Sequence, residues 1–378
     1  MNWNWPFAKS SQELKSAGPM EWPLVALSEP RAASWGSREA GALTRDGYLK
    51  NAVAYRCVRM VAEAAASIPL KSAHEGVARL MRQPMPEAAT AGFLEAVYTE
   101  LLLTGNAFVE AVRLPGERAV AALYPIRTGR VRPVKDGRGW VAAWAVKGQG
   151  SERRVGREAG GWCPLMQVKL YNPADEAMGL PPLAAARRAL DLHNAGADWA
   201  KSLIDNAAKP SGALVYGGGG RIPADQFDRL KEELAQSFSG AGNAGRPMLL
   251  EGGLQWQALS LSPAEMDFQE TRSAAAREIA LALGVPPMLL GMPGDNTYAN
   301  YREANAAFWR MTVLPLAQRF AGALSSWLDE PFGEDIEVRL DLDAVPALSA
   351  EREALWARIA AADFLSLEEK RALAGVSA

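Results

Sequence analysis

Two long helical segments, each bounded by helix-stopping residues and separated by a short α/β stretch, constrain this chain more than any other feature. The later one opens at Ser262, with Pro263 at the first helical position and Glu265 three residues after the cap. Proline there has no needed amide to lose, and the Ser/Glu pair can satisfy two orphan backbone donors. The helix closes at Gly284, with Pro286-Pro287 beyond it, so both ends are marked. The earlier segment runs from Leu183 to about Asn206, rich in Ala and Leu and free of Pro until Lys209-Pro210; as a helix it would span roughly 35 Å. Between them the pattern predicts a strand over 213–216, a turn at Gly217 to Gly220, a helix from about Pro223 to Phe238, and strands near 248–250 and 254–259. Phe227, Leu230, Leu234 and Phe238 share one face of that helix. The expectation is a small lobe carried between two helices.

The flanks complete an α+β reading. Residues 1–44 mix Pro, Gly, Ser and Trp without a period and read as an irregular arm. From Asn51, the residues Val53, Cys57, Met60, Val61, Ala64, Ala65 and Ile68 keep helical spacing until Ile68-Pro69. A second helix over 91–103 leads through Gly105-Asn106 into a strand over 107–113. Residues 107–171 then resemble a β-meander, with strands over 127–132 and 141–146 around Lys135-Asp136-Gly137. Asn300 and Glu303 form a second expected capping box, opening a helix that carries Tyr301, Ala304, Phe308 and Met311 on one side. Pro315 sits inside it and should kink it, because it removes a donor and crowds the carbonyl of Met311. A strand over 336–342 and two short helices opening at Ser349 and Ser366 finish the chain, the last with Glu369 completing a capping box.

Chemistry is mostly excluded. The chain is 378 residues long with a formal net charge of −2, which argues against a subunit that grips nucleic acid tightly. The run of Arg113, Arg118, Arg127, Arg130, Arg132, Arg138, Arg153, Arg154 and Arg157 is interrupted by Glu117, Asp136, Glu152 and Glu158, so a solvated charged face is preferred to a nucleic-acid patch. Cys57 and Cys163 have no metal-ligand spacing, and with only His74 and His193 no His/Cys cluster can be built, so no metal or cofactor is expected. Gly240 to Gly245 matches GxGxxG but follows a helix and precedes a strand, the reverse of the dinucleotide-binding order, and Gly217 to Gly220 lacks the Lys-Ser/Thr pair of a P-loop. Asp341 and Asp343 would share one face of a strand and are expected in solvent. Neither a signal peptide nor a run of about 18 apolar residues is recognisable, and a reducing cytoplasm is the default compartment. No active site is expected, so the chain is not read as an enzyme.

Particular residues carry a resemblance. Ala54-Tyr55-Arg56-Cys57-Val58-Arg59, Ala66-Ser67-Ile68-Pro69-Leu70 and Leu103-Thr104-Gly105-Asn106-Ala107-Phe108 are its first blocks. The longest is Glu278-Ile279-Ala280 through Gly284-Val285-Pro286-Pro287-Met288-Leu289-Leu290-Gly291, then Asn296-Thr297-Tyr298-Ala299-Asn300 and Thr312-Val313-Leu314-Pro315. Together, over roughly residues 45–345, they resemble the tailed-phage portal family of the Hong Kong ninety-seven type. The short C-terminal region and the preference for Arg over Lys look most like the portals of alphaproteobacterial gene transfer agents.

The resemblance implies a ring of about twelve subunits at one capsid vertex, a channel for DNA packaging and ejection. It implies a wing over 45–182, a first stem helix over 183–208, a clip over 209–261, a second stem helix over 262–284, a tunnel loop over 285–299, a kinked wing helix and strand over 300–348, and a short crown over 349–378. Met292, Asp295, Asn296, Thr297 and Tyr298 would lie nearest DNA. Arg221, Asp225, Asp228, Arg229, Glu232, Asn243 and Arg246 would form the clip surface that meets the large terminase subunit and the head-tail adaptor. Gly291 and Gly294 would let the tunnel loop shift as DNA passes. The major capsid protein is a further expected partner, and double-stranded DNA would pass without sequence-specific binding, since copies at −2 each make a weakly repulsive wall. A non-viral oligomeric scaffold and a nucleotide-dependent enzyme are the competing readings.

Overall fold

The computed structural model describes residues 37–205, 212–216, 225–226, 228–229, 232, 254–258, 268–292 and 298–375. After α1 (Ala40–Leu43) and a wide π turn (Thr44–Tyr48), Asn51 starts α2 (Ala52–Ala66) by accepting the Ala54 amide on its side-chain oxygen at 3.0 Å. Cys57, Val61, Ala65 and Ile68 of the expected stripe are buried. Val53, Met60 and Ala64 are only half-buried, however, while Ala54, Val58 and Ala62 are fully buried. The buried face is turned toward the alanines because α2 lies along α4 (Thr90–Thr104), and small side chains let two helices approach closely. Between them stand β1 (Leu70–Lys71) and α3 (Glu75–Arg82). The helix α3 went unforeseen: its cap is the imidazole of His74, which accepts the Val77 amide at 3.2 Å.

The strands β2 (Asn106–Arg113), β3 (Val120–Ile126), β4 (Val131–Lys135), β5 (Val141–Lys147), β6 (Glu152–Gly156) and β7 (Leu165–Lys169) form two antiparallel sheets rather than one meander. Their orders are β3-β2-β7 and β4-β5-β6. Only the second is a meander; β7 returns to pair with β2, placing Gln167 opposite Phe108. The strand expected over 127–132 begins at Val131, because Thr128–Arg130 is a 3-10 turn. A small core joins the two sheets through Phe108 and Trp144, edge to face at 5.0 Å.

The first long helix is broken at Ala186 into α5 (Pro182–Ala185) and α6 (Arg187–Asp205). β8 (Gly212–Tyr216) and β9 (Leu254–Ala258) pair antiparallel, with Leu214 opposite Trp256. α7 (Phe268–Ala282) packs on α6 and ends at Gly284, φ +67°, as its glycine signal predicts. Its opening residues Ser262, Pro263 and Glu265 lie outside the described residues, as do the expected strand near 248–250 and Gly217 to Gly220 and Gly240 to Gly245.

The next helix departs from expectation twice. α8 (Tyr298–Phe308) is already helical before Asn300, so Asn300 and Glu303 are not its capping box. Pro315 lies in the first turn of α9 (Leu314–Phe332), and the irregularity falls upstream as a π turn at Trp309–Val313. α9 buries Leu316, Ala317, Phe320, Ala321, Leu324 and Leu328 in the main core. The expected strand over 336–342 shrinks to β10 (Arg339–Leu340), which pairs with β1. Side chains of α9 take the backbone donors a ladder would have used: Asp329 accepts the Ile336 amide at 2.7 Å and Ser325 that of Val338 at 2.9 Å. Of the two carboxylates expected in solvent, Asp343 is exposed, pairing with Arg352 at 2.5 Å, whereas Asp341 is half-buried against Lys71 at 2.6 Å. α10 (Ser349–Ala360) and α11 (Leu367–Ala374) close the chain, the latter with the expected Ser366/Glu369 capping box.

Candidate functional site

The region that could carry function is the one built from α6, α7 and what they present at either end. At one end the antiparallel β8–β9 pair follows α6 and precedes α7, and Asp225, Asp228, Arg229 and Glu232 between them are helical and exposed. Arg221, Asn243 and Arg246 lie outside the described residues. The exposed set is three carboxylates around one guanidinium, a charged surface of the kind that steers a protein partner.

At the other end α6 and α7 meet α2 through a buried polar junction. Asn51 donates from its amide nitrogen to Nδ1 of His193 at 3.0 Å and to Asn194 at 2.8 Å. Asn194 in turn donates to the Asp46 carbonyl at 2.8 Å. Arg187, almost wholly buried, pairs with Asp46 at 2.9 Å and Asp191 at 2.6 Å. Burial, and then the nearby Arg272 charge on α7, hold the His193 pKa below its ordinary 6.5. The sequence reading missed all three residues: the four-residue spacing of Arg187 and Asp191 is a helical-pair signal that could have marked those two, whereas Asp46 arrives from a distant turn and has no local mark.

Beyond Gly284 the chain makes a 3-10 turn over Pro287–Leu290, left by Gly291 at φ +72°, and Met292 is half-buried. Tyr298 is the first residue of α8; Asp295, Asn296 and Thr297 fall outside the described residues. The end of α7 is fastened to the π turn, since Thr312 Oγ1 donates to the Gly284 carbonyl at 2.7 Å.

The remaining charged face is compensated locally. Arg113 pairs with Glu158 at 2.9 Å and Glu330 at 3.2 Å, Arg118 with Glu330, Arg132 with Glu152 and Arg153 with Glu110. Glu330, which comes from α9, was not identifiable from local spacing. Among the described residues no group of three or more His, Cys, Asp or Glu could hold a metal ion, and no helix is long and apolar enough to cross a membrane. Burial pushes the Cys57 thiol up to about 12 and raises that of Cys163, the opposite of what a nucleophile needs.

Against known proteins, the family model for phage portal protein matches residues 52–375. A protein of Rickettsia bellii (strain RML369-C) is 38% identical over 341 residues, covering 88% of each chain. Among solved structures, a chain from the neck of a native gene transfer agent particle, computed with C12 symmetry, is 46% identical, with TM-score 0.68 over 91% of this chain and 95% of that one. An HK97 family phage portal protein from Corynebacterium diphtheriae shares the fold alone, at 14% identity and TM-score 0.59 over 83% of this chain and 100% of that one.

Proposed function

The chain belongs to the phage portal protein family, and from that premise we propose that it forms a ring of about twelve subunits at one capsid vertex, with a central channel that passes double-stranded DNA during packaging and ejection. It is a portal protein of a phage or gene transfer agent particle. The C12 symmetry of the related neck supports the stoichiometry. The observation that carries the reading is the β8–β9 pair emerging from two mutually packed helices, α6 and α7: a lobe on a two-helix stem.

On this reading 45–182 is the wing, α6 and α7 lie in the stem segments 183–208 and 262–284, 209–261 is the clip, 285–299 the tunnel loop, 300–348 the wing helix and strand, and 349–378 the crown. The clip surface, with Asp225, Asp228, Arg229 and Glu232 exposed, meets the large terminase subunit and later the head-tail adaptor. Arg221, Asn243 and Arg246 belong to the same segment. Met292, Asp295, Asn296, Thr297 and Tyr298 stand nearest the DNA. The role is structural, not enzymatic: a net charge of −2 per copy gives the wall a weak repulsion that lets a phosphate backbone slide. The major capsid protein surrounds the ring. No observation favours a non-viral scaffold.

Electron microscopy of the purified full chain tests this directly. Closed rings with a central hole are expected; monomers or open filaments at every concentration would overturn it.

A further inference from the structure

Residues 127–154, which supply the sheet β4-β5-β6, carry eight Lys and Arg against two acids, in a chain whose net charge is −2. The register divides these charges between the two faces of the sheet. Trp144, Val146 and Val155 turn into the small core. Arg132, Ala145 and Arg154, paired in one row across the three strands, therefore lie on the outer face, with Lys147 and Glu152 in the next row.

Both acids are committed within the sheet. Asp136 accepts the Arg138 and Trp140 amides, each at 2.9 Å, and so holds the hairpin turn. Glu152 turns both oxygens to Arg132, at 2.7 and 2.9 Å. Lys147 and Arg154 are exposed and have no carboxylate partner among the described residues. Arg130, also exposed, reaches only the Lys147 carbonyl, at 2.8 Å, which sets a guanidinium beside an ammonium at one end of the face. Like charges on neighbouring strands weaken a sheet, and a merely solvated face intersperses the two signs. An anion from outside the chain would offset that repulsion.

The rest of the face says which anion. Adjacent strands stand about 4.8 Å apart, so Arg132 and Arg154 flank Ala145 at roughly 10 Å, and Lys147 lies about 7 Å further along. The floor between them is Val134, Ala143 and Ala145, the two alanines only 4% and 7% exposed. A protein partner needs an apolar anchor and a pocket to receive it, and this floor offers neither. A single nucleic-acid strand needs rings on which to stack its bases, and the outer face of the three strands has none. A duplex needs only cations within reach of its phosphates.

We propose that the outer face of β4-β5-β6 binds the phosphate backbone of double-stranded DNA, without sequence preference and outside the channel, through Arg130, Lys147 and Arg154. The choice of DNA as the polyanion rests on the portal reading. Within it, the channel wall lets DNA slide while the wing sheet holds it, and a ring repeats the face in every subunit, so that weak contacts sum.

The test is gel retardation of a closed circular duplex, which cannot thread a channel, by the purified full chain across a salt series. The unsubstituted chain should bind, and more weakly as salt rises. Lys147→Gln/Arg154→Gln should lower the slope of log K against log salt by about 1.8 for each subunit that a duplex touches, and weaken binding at low salt by on the order of tenfold. Arg79→Gln/Arg82→Gln, which removes the same charge from α3, should leave both as they were. No binding by the unsubstituted chain, or equal losses in the two variants, overturns the proposal. Undiminished binding by the Lys147/Arg154 variant also overturns it and turns the face toward an acidic protein surface instead. Should the double variant fail to fold, Arg154→Gln alone is expected to give about half the change in slope, and no change would be equally fatal. Electron microscopy of the same samples keeps the two readings apart: absence of rings counts against the portal, whereas rings that ignore the circle count against this face.

Discussion

The indoles of Trp162 and Trp327 stack with centroids 5.6 Å apart and planes 19° from parallel, and each is also a donor across the joint. Trp162 Nε1 reaches the Trp327 carbonyl at 2.8 Å, and Trp327 Nε1 reaches the Cys163 carbonyl at 2.7 Å. The Arg113 guanidinium lies 3.8 Å over the Trp162 ring. This arrangement fastens the segment entering β7 to α9. Trp327→Phe keeps a ring in the stack but leaves the Cys163 carbonyl unsatisfied, at a cost of about 1–2 kcal/mol. Trp162→Ala removes the stacked surface as well and should cost about 3–5 kcal/mol. Denaturant unfolding of the two variants checks the order; equal losses would show that the hydrogen bond, not the packing, secures the joint.

Gly105 explains why a Gly-Asn pair follows α4. It sits at φ +74°, and a Cβ there would lie 2.5 Å from the backbone carbon of Leu180. Asn106 then ties the same place together, accepting the Gly179 amide at 2.8 Å and donating to the Thr104 carbonyl at 2.9 Å. Gly105→Ala meets backbone that cannot give way, so its cost should exceed the roughly 1–2 kcal/mol of a left-handed residue alone. Gly116→Ala is the control, with φ +84° and open space around it. Thermal midpoints that fall equally in the two variants would remove the close-approach argument.

What the sequence disclosed follows from how local each signal is. The glycine at 284, the Ser366/Glu369 box and the β8–β9 strands were legible because cap and turn chemistry acts within a few residues. The return of β7 onto β2 was not, since strand partners are chosen by the assembled core and not by alternation within a strand. The strand over 336–342 failed for a related reason: Asp329 and Ser325 compete for its amides from a helix that spacing alone cannot place beside it. The cap at Asn300 failed because Ser/Asn-x-x-Glu also occurs within a first turn, as here in α8. In the candidate site, the two long helices α6 and α7 were readable from proline and glycine positions, whereas the Asn51–His193 junction joins residues 142 apart and has no local mark.

His193 gives that junction a pH dependence. Its Nδ1 accepts from Asn51, so protonation would set an N–H against the Asn51 amide hydrogens beside Arg272. Because the folded-state pKa lies below the ordinary 6.5, the unfolded chain binds the proton more readily. Stability is therefore unaffected well above 6.5, is lost as pH falls through 6.5 toward the folded pKa, and levels off below it. His193→Gln can accept the same bond without titrating. The difference in thermal midpoint between the unsubstituted chain and His193→Gln should be flat above about pH 7.5 and move against the unsubstituted chain on acidification. A difference that is flat through the acid range as well would mean that His193 does not feel its surroundings in this way.

The C-terminal hairpin of α10 and α11 has no fully buried residue, yet it presents Phe364 at 87%, Leu367 at 66% and Leu373 at 57% exposure. Polar links hold it to the rest of the chain, among them Arg310–Glu351 at 3.3 Å and Arg352–Asp343 at 2.5 Å. Exposed pairs of this kind contribute little, so a hairpin of two short helices needs an apolar surface from elsewhere. In a cyclic ring each subunit offers a different face to each neighbour, and the adjacent copy is the nearest source of such a surface. Phe364→Asp should then leave the thermal midpoint of the free subunit almost unchanged, because the side chain touches little within it. Each subunit interface should weaken by about 1.5–3 kcal/mol, a loss repeated around the ring. Thermal unfolding of the dissociated subunit reads the first effect and mass photometry across a dilution series the second; rings that persist at the same dilution as the unsubstituted chain would place the Phe364 face against some other component of the particle.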